Sequence, residues 1–169
     1  MTKTKKFKGF TLIELLIVIA IIAILAAVAF VALDPLTRFR DARDASRWSD
    51  VSAILSAIKV NQVDNGGSYI DEITNMTDGD FYMITADGTS TGCDAQNAVC
   101  DVDVSAPTSC VDLSDLVSSG HLGEVPVSAN GEGTWTSSIT GYVLSKSASG
   151  IVSVQACESE NVDNIKVTR

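Results

Sequence analysis

Hydrophobic and polar positions divide this chain into three regimes. The first is Leu15–Leu33, nineteen residues without a charge. At 1.5 Å per residue a helix over this run covers roughly 28 Å, close to the apolar thickness of a bilayer. It is apolar on every side, which suits lipid or a buried bundle. In lipid the backbone must satisfy its own hydrogen bonds, and helix is the single-segment solution. The second regime has helical spacing. Trp48, Val51, Leu55 and Ile58 form one stripe, widened by Ile54, predicted to pack under a sheet. Asp34-Pro35 interrupts the helix locally, because Pro35 lacks an N–H and clashes with the preceding turn. Arg40 and Asp44 stand at i,i+4 and are expected to pair, worth a few tenths of a kcal/mol. Asn65-Gly66-Gly67 is a strong helix stop.

In the third regime the period shortens to two. Phe81–Ala86 reads as a strand within a long variable connection, residues 66–110. Tyr142–Ser145 and Ile151–Ala156 flank Lys146–Gly150 as a hairpin, with Tyr142 and Leu144 on one face and Val152, Val154 and Ala156 on one face. Asp112–Ser119 reads as a short helix capped by Asp112, with Leu113, Leu116 and Val117 inward and Gly120 as its stop. The pattern predicts an α+β chain: a long N-terminal apolar helix (10–33), an amphipathic continuation (34–65), and a small antiparallel β head (66–169) on which the helix packs.

Charge sharpens this division. The formal charge of the 169 residues is −9, but residues 1–9 hold four Lys and no acid. From Asn61 onward sixteen acids face only Lys146, Lys166 and Arg169. An acidic head argues against nucleic-acid binding, which depends on Lys and Arg neutralising phosphates. Asp78-Gly79-Asp80 and Asp101-Val102-Asp103 offer oxygens, but neither follows an EF-hand loop, and turn chemistry is the preferred reading. His121 is the one His of the chain and is expected in an exposed loop. No nucleotide loop, metal cluster or nucleophile motif stands out, so no enzyme activity, cofactor or metal is expected.

All four cysteines, Cys93, Cys100, Cys110 and Cys157, lie in the second half. A membrane-targeted N-terminus implies an oxidising compartment, so disulfides are expected over metal ligands. Three pairings are open to four cysteines, and sequence alone does not choose. The preferred one is Cys93–Cys100 as a local staple, with Cys110–Cys157 tying a loop to the C-terminal strand region. Closing the longer loop stabilises by roughly 3–4 kcal/mol in the chain-entropy model.

Three readings compete for the N-terminus: an ordinary signal peptide with Ala27-Val28-Ala29 as its cleavage site, a simple membrane anchor, and a third that turns on Gly9-Phe10-Thr11-Leu12-Ile13-Glu14. A carboxylate at mid-bilayer costs about 2.5–3.5 kcal/mol on insertion scales and less near the interface. The first two readings have no need of Glu14. KGFTLIELLIVIAIIAILAAVA, within residues 5–30, resembles the class III signal of type IV pilins and type II secretion pseudopilins. The spacing of Cys110-Val-Asp-Leu, Gly141-Tyr142 and Ala156-Cys157-Glu158 also resembles pilin heads. The chain departs from many members in having Val31 where they carry a proline.

The resemblance implies a leader, residues 1–9, removed after Gly9 by a prepilin peptidase that then N-methylates Phe10. It implies that Glu14 pairs with the Phe10 ammonium of a neighbouring subunit. It further implies a single-pass membrane precursor that meets an assembly platform in the inner or cytoplasmic membrane. The precursor then enters a homopolymer through its N-terminal helices, as the pilin of an extracellular type IV pilus-like filament (fimbrium). The alternative is a pseudopilin or minor pilin of a short periplasmic pseudopilus. Leader removal takes away four lysines and so changes the formal side-chain charge from −9 to −13.

Overall fold

A computed structural model describes residues 9–104 and 110–169. Lys3, Lys5, Lys6 and Lys8 lie outside the described residues, as does part of the 66–110 connection. The chain divides between Arg38 and Phe39 into two compact units.

In the first unit, helix α1 spans Leu12–Leu33 and none of its residues is buried. It ends at Asp34, whose φ of 36° and ψ of 71° are left-handed. Asp tolerates that region better than most residues because its short side chain bonds locally. Here the carboxylate accepts the Thr37 hydroxyl at 2.6 Å. Helix α2, Pro35–Asp64, then starts with proline at its first position, where the missing N–H costs nothing. The interruption predicted at Asp34-Pro35 is therefore an end and a restart.

In the second unit, α2 carries a buried row of Val51, Ile54, Leu55, Ala57 and Ile58. The row continues in polar residues, Asp44 and Arg47 before it and Asn61 after it. Trp48, expected in the stripe, is instead 40% exposed. Arg47 sits one turn before Val51 and takes the central position, and Trp48 falls to its flank. The i,i+4 pair of Arg40 and Asp44 is also replaced: Arg40 approaches Glu160 at 3.9 Å, and Asp44 bonds Arg47 at 2.8 Å.

The head is a five-stranded sheet in the order β2-β1-β3-β4-β5. Its strands are β1 (Phe81–Thr85), β2 (Cys110–Asp112), β3 (Tyr142–Lys146), β4 (Val152–Ala156) and β5 (Lys166–Thr168). The hairpin forms with Leu144 opposite Val154. All pairs are antiparallel except β1 with β2, which run parallel. Two short helices, α3 (Asp71–Thr74) and α4 (Ser114–Ser118), complete the elements needed here. The Asp112 carboxylate accepts the Ser114 N–H at 3.2 Å, while Asp112 itself ends β2. Gly120, at φ 78°, closes α4 and lets the Leu122 N–H reach the Leu116 carbonyl at 3.0 Å.

Both faces of the sheet are covered. Ile84, Tyr142, Leu144, Val152, Val154 and Ala156 meet the α2 row in the larger core. Met83 and Val143 point the other way and join Cys93, Val104, Trp135 and Cys157 in a smaller one. The buried Tyr142 hydroxyl donates to Asp50 of α2 at 2.5 Å; burial and that carboxylate hold its ionisation far above the usual phenol range. Trp135 lies against Gly133 and Gly141. A Cβ on Gly141, which is also at φ 78°, would stand 2.5 Å from the indole Cδ2.

The disulfides correct the preferred pairing. They join Cys93 to Cys110 and Cys100 to Cys157, with Cα separations of 5.7 and 4.4 Å. A 3₁₀ turn over Asn97–Val99 separates Cys93 from Cys100 and turns them to different partners. The connection after β1 is thereby fastened at β2 and again beyond β4, so it caps the second face of the sheet instead of forming a free local loop.

Candidate functional site

The residues singled out at the N-terminus lie just ahead of α1. Gly9 and Phe10 are outside the helix and exposed, Phe10 to 90%. Thr11 is the N-cap, extended at φ −81° and ψ 151°. Its hydroxyl accepts the Glu14 N–H at 3.3 Å. Glu14 Oε2 reaches back to accept the Thr11 N–H and the Thr11 hydroxyl, each at 2.7 Å. Thr-x-x-Glu is a capping box: two otherwise unpartnered donors at the helix start are satisfied reciprocally. Thr11 is a site residue that sequence reading passed over, although its spacing to Glu14 was the available signal. The structure joins Glu14 to Thr11 within one chain and leaves Gly9-Phe10 as a non-helical, accessible peptide.

The head holds a second concentration of chemistry. Arg47 is fully buried. Its Nη1 lies 2.8 Å from Asp44 Oδ1 and 2.9 Å from Glu160 Oε1. Nη2 pairs with Glu158 and also donates to the Ala129 carbonyl at 3.0 Å, and Nε donates to Ser128 at 3.1 Å. Arg43 grips Glu160 from the side, with Nε donating to Oε1 at 2.6 Å. Asp44 in turn accepts the backbone N–H of Asn161 at 2.8 Å. Glu158 Oε2 accepts the Gly133 N–H at 2.9 Å. The segment after Cys157 is thus clamped to α2 by charge as well as to the capping loop by a disulfide. Arg47 stood in phase with Val51, Ile54 and Ile58, but an arginine on an apolar row is ordinarily a boundary residue, so the pattern hid it.

This clamp is sensitive to acid. The Arg43 guanidinium, helped by Arg47 and opposed by burial, holds the Glu160 carboxyl at about 2, against an ordinary 4.5. A depressed carboxyl stabilises the fold fully above the unfolded value and loses that contribution as pH falls toward the folded one. Glu160 should therefore contribute on the order of 2–3 kcal/mol at neutral pH, lost between about pH 4.5 and 2. Thermal melts of Glu160→Gln should be lower at pH 7 and converge on wild type near pH 2. Parallel curves for the two proteins across that window would refute the assignment.

The remaining candidates have structural roles. His121 is less exposed than expected: Nε2 lies 2.9 Å from Asp64 and Nδ1 2.8 Å from the Ser119 hydroxyl. That hydroxyl donates to the Asp115 carbonyl at 2.6 Å, so the trio ties the ends of α4 and α2 and presents no activated nucleophile. Asp78 approaches Lys146 at 3.5 Å, and Asp101 accepts the Ser159 hydroxyl at 2.7 Å. Among the described residues no group of His, Cys, Asp or Glu is arranged to hold a metal.

Residues 4–30 match the prokaryotic N-terminal methylation motif. The chain carries the N-terminus of a class III prepilin or pseudopilin. Neither a curated protein nor a solved structure matches it. The motif ends within α1, so the prepilin signature covers the accessible Gly9-Phe10 peptide, the capping box and most of the apolar helix, and the head lies beyond it. Methylation motif, apolar helix and two disulfides are the attributes of a pilin-type protein.

Proposed function

We propose that this chain is the pilin subunit of an extracellular type IV pilus-like filament, stored in the membrane through α1 and assembled by packing of that helix. The observation that carries the reading is α1 itself. It has 22 residues, none of them buried, and Glu14 is its one charge. Water would not tolerate so much exposed apolar surface, and lipid or the α1 helices of other copies would cover it. Gly9 is the cleavage position, Phe10 the residue N-methylated, and Glu14 the partner of the Phe10 ammonium in a neighbouring copy. In a water-poor filament core an ammonium and a carboxylate need each other, because one buried charge without the other costs about 3–5 kcal/mol. The capping box adds a step: Thr11 holds the Glu14 carboxylate until the neighbour arrives.

Intact-mass measurement on the mature, non-reduced protein tests the processing. The expected mass lacks residues 1–9, carries one methyl group and is lower by the four hydrogens of two disulfides. Glu14→Val tests the pairing; the variant should insert normally and assemble poorly, and wild-type filament yield would remove the role.

We take the pilin reading over the pseudopilin on the way the C-terminal segment is held. Pseudopilins of the major type often fix this region with calcium, whereas here Cys157 is tied to Cys100, and Glu158 and Glu160 to arginines. Deletion should abolish surface filaments. Lost secretion with filaments intact would favour the pseudopilin instead.

A further inference from the structure

One surface side chain of the head is idle in the fold, and its neighbours in sequence give it a chemistry. Of the seven asparagines, Asn75 alone is followed two residues later by a hydroxyl residue, in Asn75-Met76-Thr77. The other six have Val, Gly, Glu, Asp or Lys at that place. Asn-x-Ser/Thr, with x other than proline, is the acceptor sequence for an N-linked glycan, and an acceptor has to stand on a surface loop. The structure puts the tripeptide on such a loop, between α3 and β1 and wholly within the second unit. Asn75 ends α3, its backbone N–H donating to the Asp71 carbonyl at 2.9 Å. Met76 is 5% exposed and packs into the larger core. The Thr77 N–H donates to the Tyr82 hydroxyl at 3.0 Å. The backbone is thus pinned around its middle residue, while Asn75 and Thr77 are both exposed.

Among the described residues, neither the Asn75 side-chain amide nor the Thr77 hydroxyl has a hydrogen-bond partner. A sugar at Asn75 Nδ2 therefore displaces no contact. Asn61, Asn97 and Asn130, in contrast, spend their side-chain amides on contacts within the head. Compartment agrees. The two disulfides of the head form and persist in an oxidising space, the same side of a membrane on which secreted proteins meet sugar transfer. We infer that Asn75 is a glycan acceptor, which takes an oligosaccharide from a lipid-linked sugar-phosphate donor through a transferase that reads Thr77. In the transfer, Asn75 Nδ2 bonds to C1 of the first sugar, and the C1–O bond to the donor phosphate breaks. The phosphate leaves with the electron pair, and the amide gives up one proton. An amide nitrogen shares its lone pair with the carbonyl and is a poor nucleophile, so the transferase supplies the activation and the head supplies access. The inference rests on the membrane-stored reading proposed above, which carries the head out of the cytoplasm.

The test uses the full chain purified from its own cells. Its intact mass should exceed that of the processed polypeptide by whole sugars, and electron-transfer fragmentation should place them on Asn75. Asn75→Gln and Thr77→Ala should each lose the added mass completely, and Thr77→Ser should keep it. All three variants should melt within about 2 °C of wild type, because neither side chain has a contact to lose. An unmodified Asn75 in a chain that has lost residues 1–9 would overturn the glycan and leave the pilin reading standing. Sugar on Asn75 in a chain that keeps residues 1–9 would leave the acceptor standing and overturn the processing. Added mass found only on serine or threonine would overturn Asn75 as the acceptor. Sugar that stays on Asn75 in Thr77→Ala would overturn the role of Thr77.

Discussion

Replacing Arg47 with Ala should cost the head about 3–5 kcal/mol, because it strips the central cation from buried carboxylates. Asp44 and Glu158 are almost fully buried, and the Glu160 side chain is only 13% exposed. Arg43 remains for Glu160, but its side chain is one-third exposed and lies on the rim. Domains of this kind are stable by about 5–15 kcal/mol in total, so the loss takes a large share. The melting temperature of the detergent-solubilised chain, followed by near-ultraviolet circular dichroism of Trp135 and Tyr142, should fall by more than about 10 °C. Arg47→Met should lose nearly as much, since a side chain of similar length restores packing and no charge. Combining Arg47→Met with Glu158→Gln should recover part of the loss, a coupling that a cycle of the single and double variants measures. A drop of less than about 1 kcal/mol in Arg47→Ala would show that the carboxylates are satisfied without it.

The contrast between Arg47 and Leu15–Leu33 shows what the sequence could convey. A run of nineteen uncharged residues has one physical solution, and its length alone matches a bilayer. Glu14 was conspicuous because it is expensive there. The β3–β4 hairpin was legible for a similar reason: a period of two with a short turn between leaves little choice of register. Arg47 had no such uniqueness. Its cost in the core is offset by three carboxylates, two of them more than a hundred residues away, and no local pattern announces partners at that range. The same distance defeated the cysteines. Cys93–Cys100 looked economical as a short loop, yet the pairing is set by where the connection must lie to cover Met83 and Val143. That second sheet face was itself hidden, because polar Ser153 and Gln155 alternate with the apolar residues of β4, although both are buried.

Leader removal should be close to all-or-none at Gly9. In Gly9→Val, processing should fall by at least about 100-fold, the scale on which a misplaced reacting bond loses rate. The precursor would keep residues 1–9 and remain in the membrane, and intact mass would report the retained leader directly. The structure makes this variant unusually clean. Among the described residues, no heavy atom beyond its chain neighbours lies within 4 Å of where a Cβ on Gly9 would stand, and Gly9 is absent from the glycines held at positive φ. A valine therefore costs the chain itself almost nothing, and the capping box from Thr11 to Glu14 is left intact. On the proposed reading, any loss of cleavage then belongs to the peptidase, whose cleft would take a backbone without a side chain at that position. Gly9→Ala should fall between the two. Failure at this bond also explains a failure to assemble, since an uncut chain has no ammonium at Phe10 and Glu14 stays with Thr11. Normal removal of the leader from Gly9→Val would sink the assignment of the cleavage position, and with it the account of why Glu14 is there.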